Sequence, residues 1–76
     1  MRILGIDPGI ATIGFGVVDT AGPRISLAKC GVITTPAHTS LASRLKRIYD
    51  DMGELLELFK PDAVSIEELF FNTNNT

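Results

Sequence analysis

A single cysteine and no tryptophan occur in the 76 residues of this chain. One thiol, Cys30, closes no internal disulfide and supplies no Cys-rich zinc site, so it reads as a half-buried strand residue in a reducing cytosol. Histidine is equally scarce: His38 stands in a loop with no second His or Cys nearby, a poor prospect for ligand or base. Positive charge is not in excess either. Seven Lys and Arg face nine Asp and Glu, giving a net charge of −2 and a pI near 5.1, so no basic footprint across the whole chain advertises nucleic acid. No apolar run approaches the ~18–20 residues of a membrane span, and Met1-Arg2-Ile3 lacks the apolar core of a secretory signal. The expectation is a soluble, cytoplasmic protein without a membrane partner.

What is present is organised around two acids. Ile3-Leu4-Gly5-Ile6 runs into Asp7-Pro8-Gly9, and sixty positions later Ala63-Val64-Ser65-Ile66 runs into Glu67-Glu68. Each apolar run reads as a buried strand, so each carboxylate falls where a strand ends. Charge carried to such a place costs several kcal/mol of desolvation unless it is paired or holds a metal.

Between them the elements are legible. Arg2 to Asp7 reads as a first strand, broken by Pro8-Gly9. A second, Thr12 to Asp19, alternates Ile13, Phe15 and Val17 against Gly14 and Gly16, leaving one face almost bare for a backbone or ligand to approach. Ala21-Gly22-Pro23 turns the chain into a third strand, roughly Arg24 to Thr34, and three strands joined by short turns predict an antiparallel meander. Ser40 is placed as N-cap of a helix over 41–59, with apolar residues at Leu41, Leu45, Ile48, Tyr49, Met52, Leu55, Leu56 and Phe59 forming one stripe. Lys60-Pro61 ends it. The last strand, Ala63 to Glu67, follows a helical crossover and is expected to run parallel to the first, bringing Asp7 and Glu67 to one edge.

Two carboxylates so placed suit Mg²⁺ or Mn²⁺, hard cations that take oxygen ligands and keep waters for a substrate phosphate. Phosphodiester hydrolysis commonly uses two such ions, and two acids are too few ligands for both. A plainer use of the same letters stays open: Asp7 opening a turn with Pro8-Gly9, and Glu67 as a solvated strand end. Glu68 competes with Glu67 but points to the opposite sheet face if the strand continues. Phe70 and Phe71 follow at once, one expected inside and one outside, where an aromatic can stack on unpaired bases. Asn72, Asn74 and their threonine neighbours are donors for phosphates. Arg44, Lys46 and Arg47 form the one dense basic cluster, better read as a solvated helix face paired with Asp50 and Asp51 than as a phosphate track.

Ile3 to Gly16 (ILGIDPGIATIGFG), Ser43 to Tyr49 (SRLKRIY) and Lys60 to Phe70 (KPDAVSIEELF) stand in the order and separation of one family. The chain resembles the N-terminal half of the RuvC family of bacterial Holliday junction resolvases, over its whole length. The resemblance implies an α/β, ribonuclease H-like fold: a three-stranded antiparallel meander, a crossover helix and a fourth strand parallel to the first, the fold being incomplete. Residues 1–76 are then the N-terminal part of a single nuclease domain. It implies that Asp7 and Glu67 are catalytic and bind metal, with two Mg²⁺ ions in the complete protein and Mn²⁺ as a substitute. Phe70, three positions after the glutamate, is implied to engage bases at the opened junction, and Asn72 to lie on the same DNA-facing loop. Partners implied are four-way junction DNA, a second copy in a homodimer, and the RuvA-RuvB branch-migration machinery.

The departure is that the family completes its site with two later acids and takes most of its basic residues from the second half. By that measure the chain is a catalytically incomplete piece, with net charge lowered by what it lacks. Three other readings compete. A strand, an acid and a glycine-bearing second strand also begin the ATP-binding domains of the actin, Hsp70 and sugar-kinase type, though the acid and aromatic pair after so short a crossover fit them less well. Smaller resolvase-like nucleases that process ribosomal RNA precursors share the fold, against which the SRLK and IE-x-x-F segments argue. A non-catalytic oligomerising module is the third, but one apolar helix face is satisfied by covering one side of a sheet. The other side of that sheet is expected to stay open and to promote association.

Overall fold

The computed structural model describes residues 1–9 and 11–67. Strand β1 (Arg2–Asp7) is followed by β2 (Thr12–Ala21), β3 (Arg24–Thr34), helix α1 (Leu41–Phe59) and β4 (Ala63–Ile66). They form one sheet in the order β3-β2-β1-β4. β1 pairs with β2 and β2 with β3 antiparallel, while β4 joins the free side of β1 in parallel. The meander, the crossover helix and the parallel fourth strand are those expected, and β2 runs two residues further than its sequence pattern indicates.

Alternation along the strands separates two faces. Leu4, Ile6, Ile13, Val17 and Ile33 are buried on one of them, and Phe15, Ile48, Met52, Leu55 and Phe59 pack against that cluster. Leu4 lies opposite Val17 in the β1/β2 register, and neither exposes any surface. Burial of this order stabilises by about 1.5–3 kcal/mol per side chain. Phe15 lies over Gly31 on the neighbouring strand, where an added Cβ would stand 3.0 Å from the ring. Glycine at 31 is therefore the seat of that ring.

The helix begins where its cap is strongest. Ser40 is extended at φ −65° and ψ 157°, and its hydroxyl oxygen accepts from the Ser43 N–H at 3.1 Å. Lys60, left-handed at φ 45°, closes the far end by donating its N–H to the Leu56 carbonyl at 2.9 Å. Pro61 then prevents any continuation.

The stripe is narrower than its eight positions implied. Ile48, Met52, Leu55 and Phe59 touch the sheet core, whereas Leu41, Leu45, Leu56 and above all Tyr49, at 79% exposure, do not lie beneath cover. Tyr49 and Leu56 each follow a sheet-facing residue by one position, a rotation of about 100°, which carries them off the contact. Cys30 likewise corrects the expectation of half-burial: it is exposed, because it pairs with Gly16 on the sheet face away from α1. Ile25, Leu27 and Val32 share that face through their partners Thr20, Val18 and Gly14, and all three are more than 60% exposed.

Candidate metal centre

Asp7 closes β1 on the open face, with its side chain exposed, and Gly14 is its antiparallel partner. Ile6 is aligned with Ile66 in the parallel pair, and the Glu67 N–H donates to the Ile6 carbonyl at 3.0 Å. Asp7 and Glu67 therefore occupy the next rung, on neighbouring strand ends roughly 4.8 Å apart along the ladder direction. Aligned residues of parallel strands project to the same side, so continuing the register one step past Ile6 and Ile66 would direct both carboxylates to one rim.

The ground beside them is bare. A Cβ added at Gly14 would meet the Asp7 Cβ at 3.6 Å, an ordinary contact, and one added at Gly16 would meet nothing within 4 Å. The chain's own packing does not demand glycine at either position. What the glycines leave is a hollow of about 360 Å³, bordered by Ile3, Gly5, Asp7, Gly14, Gly16 and Val18.

Both acids are exposed, and so are Val64, Ser65 and Ile66 before Glu67, which corrects the expectation that each acid ends a buried strand at a desolvation cost. Two exposed carboxylates on adjacent strand ends still fit a small oxygen-seeking cation. Neighbouring negative charges repel, and a divalent ion held by Asp7 and Glu67 would offset that repulsion. Among the described residues no third His, Cys, Asp or Glu joins them in a cluster, so these two could supply only part of a coordination shell. Glu68, Phe70, Phe71, Asn72 and Asn74 lie outside the described residues, and with them the base-stacking and phosphate-donor expectations.

The basic cluster divides. Lys46 reaches Asp50 at 2.8 Å and Arg47 reaches Asp51 at 3.0 Å, both one helical turn on, as the charge pattern anticipates. Arg44 differs: its Nε is withdrawn from water and has no hydrogen-bond partner among the described residues. His38 has a positive φ of 61° in the turn before the helix.

The opposite end of the sheet holds a clasp that sequence reasoning missed. Arg2 grips Asp19 with two bonds, Nε to Oδ1 at 2.8 Å and Nη2 to Oδ2 at 3.0 Å, and Nη1 donates to the Phe59 carbonyl at 3.2 Å. Its own N–H donates to Asp62 Oδ2 at 2.7 Å, while the Asp62 N–H donates to the Arg2 carbonyl at 2.7 Å. The guanidinium hydrogen bond holds the Asp19 carboxyl below the usual carboxylate range, and the same bond raises Arg2. Partners separated by 17 and 60 residues leave no short-range pattern to read.

With this geometry in place, the relatives can be compared. The family described as crossover junction endodeoxyribonuclease RuvC matches residues 3–76. The RuvC of Brevibacillus brevis is 53% identical over 76 residues, covering all of this chain and 46% of the relative. That of Heliobacterium modesticaldum is 49% identical, with all of this chain and 47% of the relative covered. Among solved structures, Thermus thermophilus RuvC superposes with a TM-score of 0.84 at 37% identity, covering 95% of this chain and 45% of that one. The same protein in complex with Holliday junction substrate gives 0.84 at 35% identity, covering 99% and 49%. An Aquifex aeolicus PPX-GPPA enzyme, at 17% identity and a TM-score of 0.64 over 87% of this chain and 25% of that one, shares the fold alone. The chain spans about half the length of the curated relatives it matches.

Proposed function

The chain belongs to the crossover junction endodeoxyribonuclease RuvC family, and from that premise we propose that it is part of a structure-selective endonuclease that nicks four-way DNA junctions by metal-dependent hydrolysis. The observation that carries the reading is the shared rung of Asp7 and Glu67 at the open rim of β1 and β4. The T. thermophilus relative bound to a Holliday junction supports four-way junction DNA as the substrate class.

Asp7 and Glu67 would hold Mg²⁺, or Mn²⁺ in its place, through carboxylate oxygens. When bound, such an ion polarises the scissile phosphate and lowers the pKa of a coordinated water. The two side chains fix where that chemistry occurs, because each is anchored by its own strand and the strands are hydrogen-bonded to each other. Gly14 and Gly16 keep the approach to Asp7 clear of side chains. Phe70 and Asn72, close behind Glu67 in the chain, would meet bases and backbone of the opened junction. A second ion needs ligands beyond these two acids, so the 76 residues form one part of a catalytic centre and of a single ribonuclease H-like domain. The assembled protein would act as a homodimer in the cytoplasm, pairing two such centres across the junction beside the RuvA-RuvB branch-migration machinery.

The test is cleavage of an end-labelled four-way junction by the polypeptide extended to the length of its relatives. Paired symmetric nicks with Mg²⁺ are expected. Asp7→Asn and Glu67→Gln should each reduce the rate by at least about a hundredfold while junction binding persists. Robust, Asp7-dependent nicking by the 76-residue chain without its second half would contradict the assignment of ligands.

A further inference from the structure

We infer that Asp62 and the backbone of Arg2 are positioning residues that set the β1/β4 register, and through it the juxtaposition of Asp7 and Glu67; this rests on the metal-centre reading above. β4 has only four residues, and Val64, Ser65 and Ile66 are all exposed. Register is normally fixed by burying one face of a strand, and a strand with so little buried is prone to slip. Here side-chain packing cannot be the whole constraint, so the ends of the strand must contribute it.

The entry to β4 supplies what its middle lacks. Arg2 N–H, which a continuing parallel neighbour would satisfy with a main-chain carbonyl, is taken by Asp62 Oδ2 at 2.7 Å. Asp62 returns its own N–H to the Arg2 carbonyl at 2.7 Å, so the residue immediately before β4 is locked to the first residue of β1 by two short bonds. Arg2 Nη1 meanwhile reaches the Phe59 carbonyl at 3.2 Å, fixing the end of α1 just before the three-residue connection to β4. Ile3 then aligns with Ala63, and counting forward sets Ile6 opposite Ile66.

The consequence appears at the other end of the same two strands. A slip of one residue turns Glu67 to the helix side of the sheet, and a slip of two moves it about 6.6 Å along the strand. Either separates it from Asp7. Asp62 touches neither carboxylate, so its effect on the cation is transmitted by register alone.

Backbone amide exchange and Mn²⁺-induced broadening, read by NMR on the 76-residue chain, separate the possibilities. In the parent chain, the Glu67 amide should be protected and Mn²⁺ should broaden Asp7 and Glu67 together. Asp62→Ala should lower Glu67 protection about tenfold and weaken joint broadening, with β1/β2 amides unchanged. Asp62→Asn retains an acceptor oxygen and should restore both, and Asp62→Glu, which displaces that oxygen, should not. If Asp62→Ala unfolds, the Glu and Asn variants decide the matter between them. Undiminished Glu67 protection in the Ala or Glu variant overturns the inference. Absence of joint broadening in the parent chain overturns the metal reading instead, and amide exchange still decides the register.

Discussion

Among the described carboxylates, Asp19 carries the clearest pH signature. Its carboxyl is held below the usual range by hydrogen bonding to Arg2, so the ionised form is favoured in the folded state. Stability from a depressed carboxyl is present in full above the unfolded value, near 3.9, and is lost as pH falls through the lower folded value. Urea denaturation of the parent chain and Asp19→Asn should accordingly differ most near neutral pH and converge as the pH falls through the lowered folded value. A gap that persists undiminished at low pH would refute the role of that charge. At this scale the sequence was half informative: strand-end acids at 7 and 67 were recognisable from their apolar approaches, while Arg2 and Asp19 looked like ordinary surface charges. Nothing local distinguishes a charge whose partner comes from another strand.

Among the elements, α1 was the most legible and also the source of the largest revision. Its boundaries follow from Ser40 and Lys60-Pro61, both local signals, and the cap bond is present as expected. Ser40→Ala should therefore destabilise the chain by about 1 kcal/mol in chemical denaturation. An unchanged midpoint and slope would mean the helix does not depend on its cap. Which apolar residues face the sheet was harder to read, since a stripe specifies a direction but not its width. Tyr49 and Leu56 show the limit: their spacing suits the stripe, yet the four strands offer contact only along the line from Ile48 to Phe59. For β4 the crossover rule gave the parallel direction, and the short distance from Phe59 to Ala63 left little freedom in where the strand could start. Its register depends on Asp62, which sequence alone presents as a connector residue.

The molecule as a whole is a sheet covered on one side. Ile25, Leu27 and Val32 are exposed opposite α1, on the same sheet face as the glycine hollow. Such a surface, open among the described residues, drives association in water, so light scattering at high concentration should give a mass above that of the monomer. A monodisperse monomer under those conditions would contradict this. A net charge of −2 over the chain argues against nucleic acid, whereas the family it matches is described as a crossover junction endodeoxyribonuclease. A summed charge does not report how charge is distributed over a surface.

The proposal that one divalent ion joins the ends of β1 and β4 is tested most directly by anomalous diffraction from crystals of the chain grown with Mn²⁺. A peak within bonding distance of carboxylate oxygens from both Asp7 and Glu67 is expected. A peak bound to one of them only, or metal found elsewhere while this rim stays empty, would contradict it.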